Sequence, residues 1–337
     1  MAFPESAAEF MARQAARLRG AARRRKIVFP EGDDARVIEA AARLARERIV
    51  DPVLIGRAPA NAPGGVEFVD PAQTPLAAKY ATLLYERRRA KGITQIEAAG
   101  IARGRLHFAA LMTAAGDADG FVGSAVHTTA DTVRAVLQSI DLKRGFRRLS
   151  SVHIMAVHPR EYGHKGLLAF ADAAIIAVPS AVELAEIAIA TADTARAVFD
   201  TEPLVAMLSF STKGSAQHKE VDKVVSALKY VRERAPRLNV DGELQADAAL
   251  AASVGKSKSP GSPVAGAANV LIFPDLNSAN IGYKLVERLG DGALLAVLLQ
   301  GIVKPASLIP RGCTVEDAVN TAILTAVQSG SAQAARA

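Results

Sequence analysis

The sequence predicts an α/β protein of two domains, each with helices packed on a mostly parallel sheet. Three observations carry this. Short apolar runs alternate with amphipathic helical stretches along most of the 337 residues, the pattern of a parallel sheet covered by helices on both faces. The chain is longer than one hydrophobic core usually fills, roughly 250–300 residues. A charged connector, Asp141-Leu142-Lys143-Arg144-Gly145-Phe146-Arg147-Arg148-Leu149, interrupts the pattern, which then restarts.

The elements follow in order. Phe10, Ala15, Leu18 and Ala22 give the basic stretch 13–26 an apolar helical stripe. Ile27-Val28-Phe29 is a strand closed by Pro30. Asp33 or Asp34 caps a helix whose buried stripe is Val37, Ala40, Ala41 and Leu44. Pro52–Gly56 is a second strand and Gly65–Val69 a weaker third. Helices are expected over 76–91 and 94–115, the second opened by a capping box of Thr94 and Glu97. Gly120–Ala125 is a strand, and Thr128 or Thr129 opens a helix through Ile140.

After the connector, Val152–Val157 and Leu167–Val178 are strand-like. Ser180 and Glu183 box the start of a helix to Phe199. Leu204–Phe210 is a near-continuous apolar strand, as central parallel strands are. Helices over 219–234 and 278–289, strands at Val270–Phe273 and Leu294–Leu299, and a last helix from Val315 to Gln328 complete the pattern. Ligands in such folds bind beyond the carboxyl ends of strands. That singles out Gly123–Thr129, Ser209–Gly214, Pro274–Lys284 and Gly301–Arg311.

Composition narrows the function. Hydrophobic residues make up 50% and charged residues 22%, which fits a globular protein with a large core. No uncharged apolar run reaches the ~18 residues of a membrane span. Residues 1–26 end in Arg23-Arg24-Arg25-Lys26, but Glu5, Glu9 and the missing apolar core argue against a secretory signal. The single cysteine excludes an internal disulfide, so a reducing, cytoplasmic setting is expected. The net charge of +7 suits nucleic acid or a small polyanion. Aromatics are only 5% and Trp is absent, leaving little surface for stacking bases; no nucleic-acid partner and no membrane partner are expected.

Two decoys drop out. Gly261–Gly266 has P-loop spacing but no Lys-Ser/Thr after it. His158 and His164 flank Pro159–Gly163 with no third ligand, so no metal site is expected. Arg311 and Asp317 do suggest chemistry: a planar fork of donors suits a phosphate or oxyanion, and a carboxylate six residues on can take a proton. Taken alone, they are equally an ordinary surface ion pair.

Four segments in order resemble a known family. They are Phe29-Pro30-Glu31-Gly32; Asp119-Gly120 through Ala125-Val126-His127-Thr128-Thr129-Ala130-Asp131-Thr132-Val133-Arg134; Ser259-Pro260-Gly261-Ser262-Pro263-Val264-Ala265-Gly266; and Phe273-Pro274-Asp275-Leu276-Asn277 through Gly282-Tyr283-Lys284. With Asp241-Gly242-Glu243-Leu244-Gln245-Ala246-Asp247, they look like phosphate acetyltransferase (phosphotransacetylase). The resemblance implies reversible acyl transfer between coenzyme A and inorganic phosphate, giving acyl phosphate. It implies coenzyme A or acetyl-coenzyme A as substrate, no permanently bound cofactor, and a homodimer. It also implies two α/β/α domains with a cleft between them: residues 1–146 plus a returning segment 303–337, and residues 147–302. Asp317 becomes the base for the coenzyme A thiol, and Arg311 the holder of acyl phosphate and oxyanion. Arg88, Arg134, Thr128, Thr129 and Lys284 become substrate-binding. Each has a plainer alternative: N-caps for the threonines, ion pairs or solvated faces for the cations.

The chain departs from the family pattern at three places: Ala296-Val297-Leu298-Leu299 replaces the usual Gly-Pro before Gln300-Gly301, residues 158–166 do not match, and the third, before Arg311, is the sensitive one. Asn-Asp-Leu-Ser-Arg-Gly is usual before the arginine; Ser307-Leu308-Ile309-Pro310-Arg311-Gly312 stands here. Pro310 brings neither hydroxyl nor N–H. Three readings therefore stay open: direct transfer in a ternary complex, with acetyl or a longer acyl group; an acyl-enzyme on Cys313; and a non-catalytic acyl-coenzyme A sensor.

Overall fold

The computed structural model describes residues 5–158 and 161–334; Pro159 and Arg160, within the loop flanked by the two histidines, lie outside them. The chain divides into two compact units. One, the outer unit, comprises Met11–Lys143 and Ile302–Ala337; the other, the central unit, comprises Met1–Phe10 and Arg144–Gly301.

The chain opens with α1 (Glu5–Arg19), which spans the division between the units. The outer unit then runs β1 (Lys26–Phe29), α2 (Ala35–Arg46), β2 (Asp51–Ile55), β3 (Glu67–Val69) and α3 (Leu76–Arg88). A short 3-10 turn, Arg89–Lys91, leads to α4 (Gln95–Ala102), α5 (Arg105–Ala115), β4 (Gly120–Gly123) and α6 (Thr129–Ser139). One helix is expected over 94–115; the structure breaks it at Arg103-Gly104, where Gly104 takes extended backbone as the N-cap of α5.

The central unit contains β5 (Ser150–Ala156), β6 (Leu167–Ala171), α7 (Ala181–Phe199), β7 (Leu204–Leu208), α8 (Lys219–Arg234), β8 (Asn239–Leu244), α9 (Ala246–Leu250), α10 (Ala252–Lys258), β9 (Val270–Ile272), α11 (Leu276–Leu289) and β10 (Ala293–Gln300). The chain then re-enters the outer unit as β11 (Ala306–Leu308) and α12 (Val315–Ala334).

In the outer unit the strand order is β3-β2-β1-β4-β11, all parallel. Helices α2 and α12 pack together on one side; α3, α5 and α6 pack together on the other. In the central unit the order is β10-β5-β6-β9-β7-β8. Its β6, β9, β7 and β8 are parallel, while β5 runs antiparallel to both β10 and β6. Both sheets are thus mostly parallel, as the alternation of elements predicts.

One further expectation needs correction, and two strands escape the sequence. The strand-like run 167–178 stops at Ala171, because Asp172 follows and its buried carboxylate gathers the N–H groups of Ala174, Ile175 and Ile176. That turns the backbone out of the sheet. Strand β8 escapes the sequence because it buries Asp241 and Glu243. Asp241 is matched by Lys213 and Arg232, and Glu243 by the Ser211 hydroxyl and the Gly214 N–H. Strand β11 is three residues long, too short for any periodicity.

Candidate active site

Adjacent parallel strands β1, β4 and β11 end at one edge of the outer sheet, and each feeds a helix: α2, α6 and α12. The three connecting loops hold most of the chemistry.

The β1–α2 loop is Pro30-Glu31-Gly32-Asp33-Asp34. Gly32 is required by crowding, since a Cβ there would sit 2.7 Å from the Ile55 carbonyl oxygen. Asp34 caps α2 by accepting from the N–H groups of Arg36 and Val37 at 2.9 and 3.3 Å. Asp33 pairs with Arg105 at 2.6 Å. Glu31 is fully buried. Its Oε1 accepts the Ser124 N–H at 2.8 Å and lies 2.9 Å from His127 Nδ1. That contact holds the His127 imidazole above its ordinary value of 6.5. Ser124 sits at φ 90, an unusual conformation for a side-chain-bearing residue, fixed by this bond and by its hydroxyl donating to the His127 carbonyl.

The β4–α6 loop ends at Thr128, the N-cap of α6. The Thr128 hydroxyl accepts from Asp131 N at 3.1 Å and donates to Asp131 Oδ2 at 2.7 Å. Thr129 is the first helical residue and is exposed. Arg134 pairs with Asp131 at 2.7 Å, both well exposed.

The β11–α12 loop begins with Ile309, whose N–H donates to the Gly123 carbonyl at 2.9 Å. A turn follows, closed by Cys313 N–H donating to the Pro310 carbonyl at 2.9 Å. Arg311 stands at the second position of that turn. It is exposed, and its guanidinium has no partner among the described residues. Asp317 forms a capping box with Thr314: its Oδ2 accepts from Thr314 N–H and hydroxyl at 2.8 and 2.9 Å, while Thr314 Oγ1 accepts from Asp317 N at 3.2 Å. Cys313 is buried. Burial pushes its thiol up, with Arg36 pulling the other way.

Arg36, unnoticed in the sequence, ties the loops together. Its Nη1 donates to the carbonyls of Arg311 at 2.8 Å and Cys313 at 3.1 Å. Its Nη2 donates to the Ala125 carbonyl at 3.2 Å and to Asp34 at 2.8 Å. Helix N-termini favour anions, but the protein's own carboxylates Asp34, Asp131 and Asp317 already occupy all three here. The unpaired guanidinium of Arg311 is therefore the group left to meet an incoming anion.

Arg88 lies at the end of α3, half-buried, in a pocket lined by Leu84, Arg88, Lys91, Ile93, Ile101 and Gln138. Its neighbours are engaged: Arg87 lies 2.6 Å from Asp141 and Arg89 3.3 Å from Glu86. Arg88 has no partner among the described residues. Gln138 is one helical turn beyond Arg134 on α6, so both arginines belong to the α3–α6 layer. Lys284 is on α11 of the central unit, exposed, with its ammonium 5.4 Å from the Tyr283 ring centre.

Sequence reasoning missed Glu31, His127, Arg36 and Lys91. Glu31 and His127 stand inside the motifs that carry the family resemblance, so a signal existed. Arg36 had none, because its partners include backbone carbonyls 275 and 277 residues downstream. Among the described residues, no three His, Cys, Asp or Glu side chains gather as a metal-binding group, and no helix is long and apolar enough to cross a membrane.

Comparison with known proteins gives a consistent result. Residues 10–326 match the model of the phosphate acetyl/butaryl transferase family. Phosphate acetyltransferase of Thermoanaerobacterium thermosaccharolyticum is 45% identical over 313 residues, covering 91% of this chain and 95% of that protein. Phosphate acetyltransferase of Bacillus subtilis is 43% identical, covering 90% and 94%. A crystal structure of a phosphotransacetylase from Streptococcus pyogenes superposes with a TM-score of 0.88 at 39% identity, covering 96% of this chain and 98% of that one.

Proposed function

Because the chain belongs to the phosphate acetyl/butaryl transferase family, we propose that it is a phosphate acetyltransferase, moving an acetyl group reversibly between coenzyme A and inorganic phosphate by direct attack. The substrates are coenzyme A and acetyl phosphate in one direction, acetyl-coenzyme A and phosphate in the other. The observation that carries the site assignment is Arg311: an exposed, unpaired guanidinium on a loop whose backbone is pinned at both ends of the residue.

The thiol sulfur of coenzyme A attacks the acetyl carbonyl carbon. A C–S bond forms, the C–O bond to phosphorus breaks, and phosphate leaves. Asp317 takes the thiol proton. A free thiol titrates near 8.5 and a free Asp near 3.9, a gap of about 4.6 units or roughly 6 kcal/mol. Asp317 therefore accepts the proton as sulfur attacks rather than beforehand. Arg311 holds the acyl phosphate and the oxyanion through its bidentate fork. Arg88, unpaired beside Lys91 and three apolar side chains, suits an anionic and partly apolar ligand such as coenzyme A. Arg134, Thr128 and Thr129 are assigned to the same anionic substrates; the bonds that Arg134 and Thr128 make to Asp131 must loosen for those two to serve. Lys284 rests on the family motif alone.

The acyl-enzyme reading is weaker. Cys313 is buried with its thiol pushed up, the opposite of an activated nucleophile. For the oligomer, α11 exposes Ile281, Leu285 and Leu289 at four-residue spacing, an apolar stripe suited to a homodimer contact. Leu285→Glu should shift sedimentation from dimer to monomer; an unchanged dimer would remove this face. The function itself is tested by following acetyl-coenzyme A formation from acetyl phosphate and coenzyme A. Transfer that depends on Arg311 supports it, and no transfer overturns it.

A further inference from the structure

Arg36 makes an unusual set of bonds for a residue in the first turn of a helix. Its ion pair with Asp34 is local and would give nothing beyond a surface contact. Its remaining donors go to main-chain carbonyls of two other loops: Ala125 after β4, and Arg311 and Cys313 after β11. The last two carbonyls belong to the second and last residues of the turn that presents Arg311. The residue before Arg311 is Pro310, which has no N–H to anchor the loop. Between the Ile309 N–H and the capping box at Thr314, the turn is held by its own Cys313–Pro310 bond and by the Arg36 guanidinium.

We propose that Arg36 is a positioning residue for acyl transfer: its guanidinium fixes the Pro310–Cys313 turn, and so the exit direction of the Arg311 side chain toward acyl phosphate. This rests on the reading of Arg311 as the acyl phosphate ligand. A bidentate fork must be aimed to within about an ångström to keep its advantage, and misplacement on that scale costs about 100-fold in rate. Lysine at position 36 keeps the charge but cannot span both carbonyls and Asp34 at once.

The test is a double-mutant cycle on the full chain, with Arg36→Met, Arg311→Gln and the pair, assayed with acetyl phosphate and coenzyme A. Arg36→Met should lower kcat/KM for acetyl phosphate by about 10- to 100-fold, with the KM for coenzyme A within about two-fold of wild type. In the Arg311→Gln background the same substitution should have almost no further effect, since Arg36 acts through Arg311. A merely structural role would lower thermal stability and both substrates' parameters in either background. If Arg36→Met does not fold, the cycle is run with Arg36→Lys. Multiplicative losses in the double variant, with Arg311→Gln itself impaired, would overturn the inference alone. Full activity in Arg311→Gln would overturn the underlying reading of Arg311 and this inference with it.

Discussion

Replacing Asp317 by Asn should leave the protein folded and almost inactive. The structure gives this residue a second occupation, as the carboxylate of the α12 capping box, so the two roles must be separated by magnitude. The cap uses one oxygen, Oδ2, which accepts from the Thr314 N–H and hydroxyl. Asparagine has the same shape and keeps a carbonyl oxygen for that duty. What it loses is the negative charge at the helix N-terminus, worth about 0.3–1 kcal/mol at an exposed site. Alanine would lose the acceptor as well, and about 0.5–2 kcal/mol in all. Loss of a general base, by contrast, costs about 10²–10⁴-fold in turnover. Denaturant unfolding and acetyl-coenzyme A formation, measured on both variants, therefore read different quantities. The expected result is a folded Asn variant within about 1 kcal/mol of wild type and slower by at least about 100-fold. If the Asn variant keeps near wild-type turnover while the Ala variant loses only stability, Asp317 is a cap and the mechanism lacks its base.

Other expectations follow from the same geometry. Cys313→Ala should keep most of its activity, and mass spectrometry should find no acyl group on the wild-type protein mixed with acetyl-coenzyme A; an acylated Cys313 peptide would establish the covalent route. Pro310→Ser keeps the carbonyl that accepts from Cys313 and adds a hydroxyl donor beside Arg311, so turnover should be equal or rise by up to about 100-fold. No transfer in either protein, with coenzyme A still bound, would favour a sensor. His153 is buried against Tyr283, and burial depresses its imidazole from 6.5 to about 3. The folded state therefore refuses a proton that the unfolded state accepts below about 6.5. Stability from this residue is present above that pH and falls as pH drops toward 3, by about 1.4 kcal/mol per unit. In denaturant titrations at pH 7 and pH 5, His153→Leu should lose less stability on acidification than wild type, by about 2 kcal/mol; equal losses would show that His153 is not the sensitive group.

What the sequence made legible is what local chemistry encodes. The stripe Val37, Ala40, Ala41 and Leu44 is buried in α2 as its spacing requires, and the capping boxes of Thr94 with Glu97 and Ser180 with Glu183 close as their spacing predicts. Thr314 and Asp317 have the same kind of spacing and close in the same way. Strand β8 was hidden because its buried carboxylates look like a loop until Lys213, Arg232 and Ser211 are seen to satisfy them. At the candidate site, Arg88 stands out from Arg87 and Arg89 only by motif order in the sequence; in the structure those two are paired and Arg88 is not. Glu31 meets His127 across 96 residues, and Arg36 reaches backbone atoms whose identity no sequence pattern records.

The central claim is direct acetyl transfer between phosphate and coenzyme A. Exchange of labelled inorganic phosphate into acetyl phosphate tests it most directly, run with and without coenzyme A. Direct transfer predicts label in acetyl phosphate only when coenzyme A is present, because phosphate must attack acetyl-coenzyme A. Exchange without coenzyme A would mean an acyl-enzyme, and no exchange in its presence would mean that the protein does not transfer acetyl groups at all.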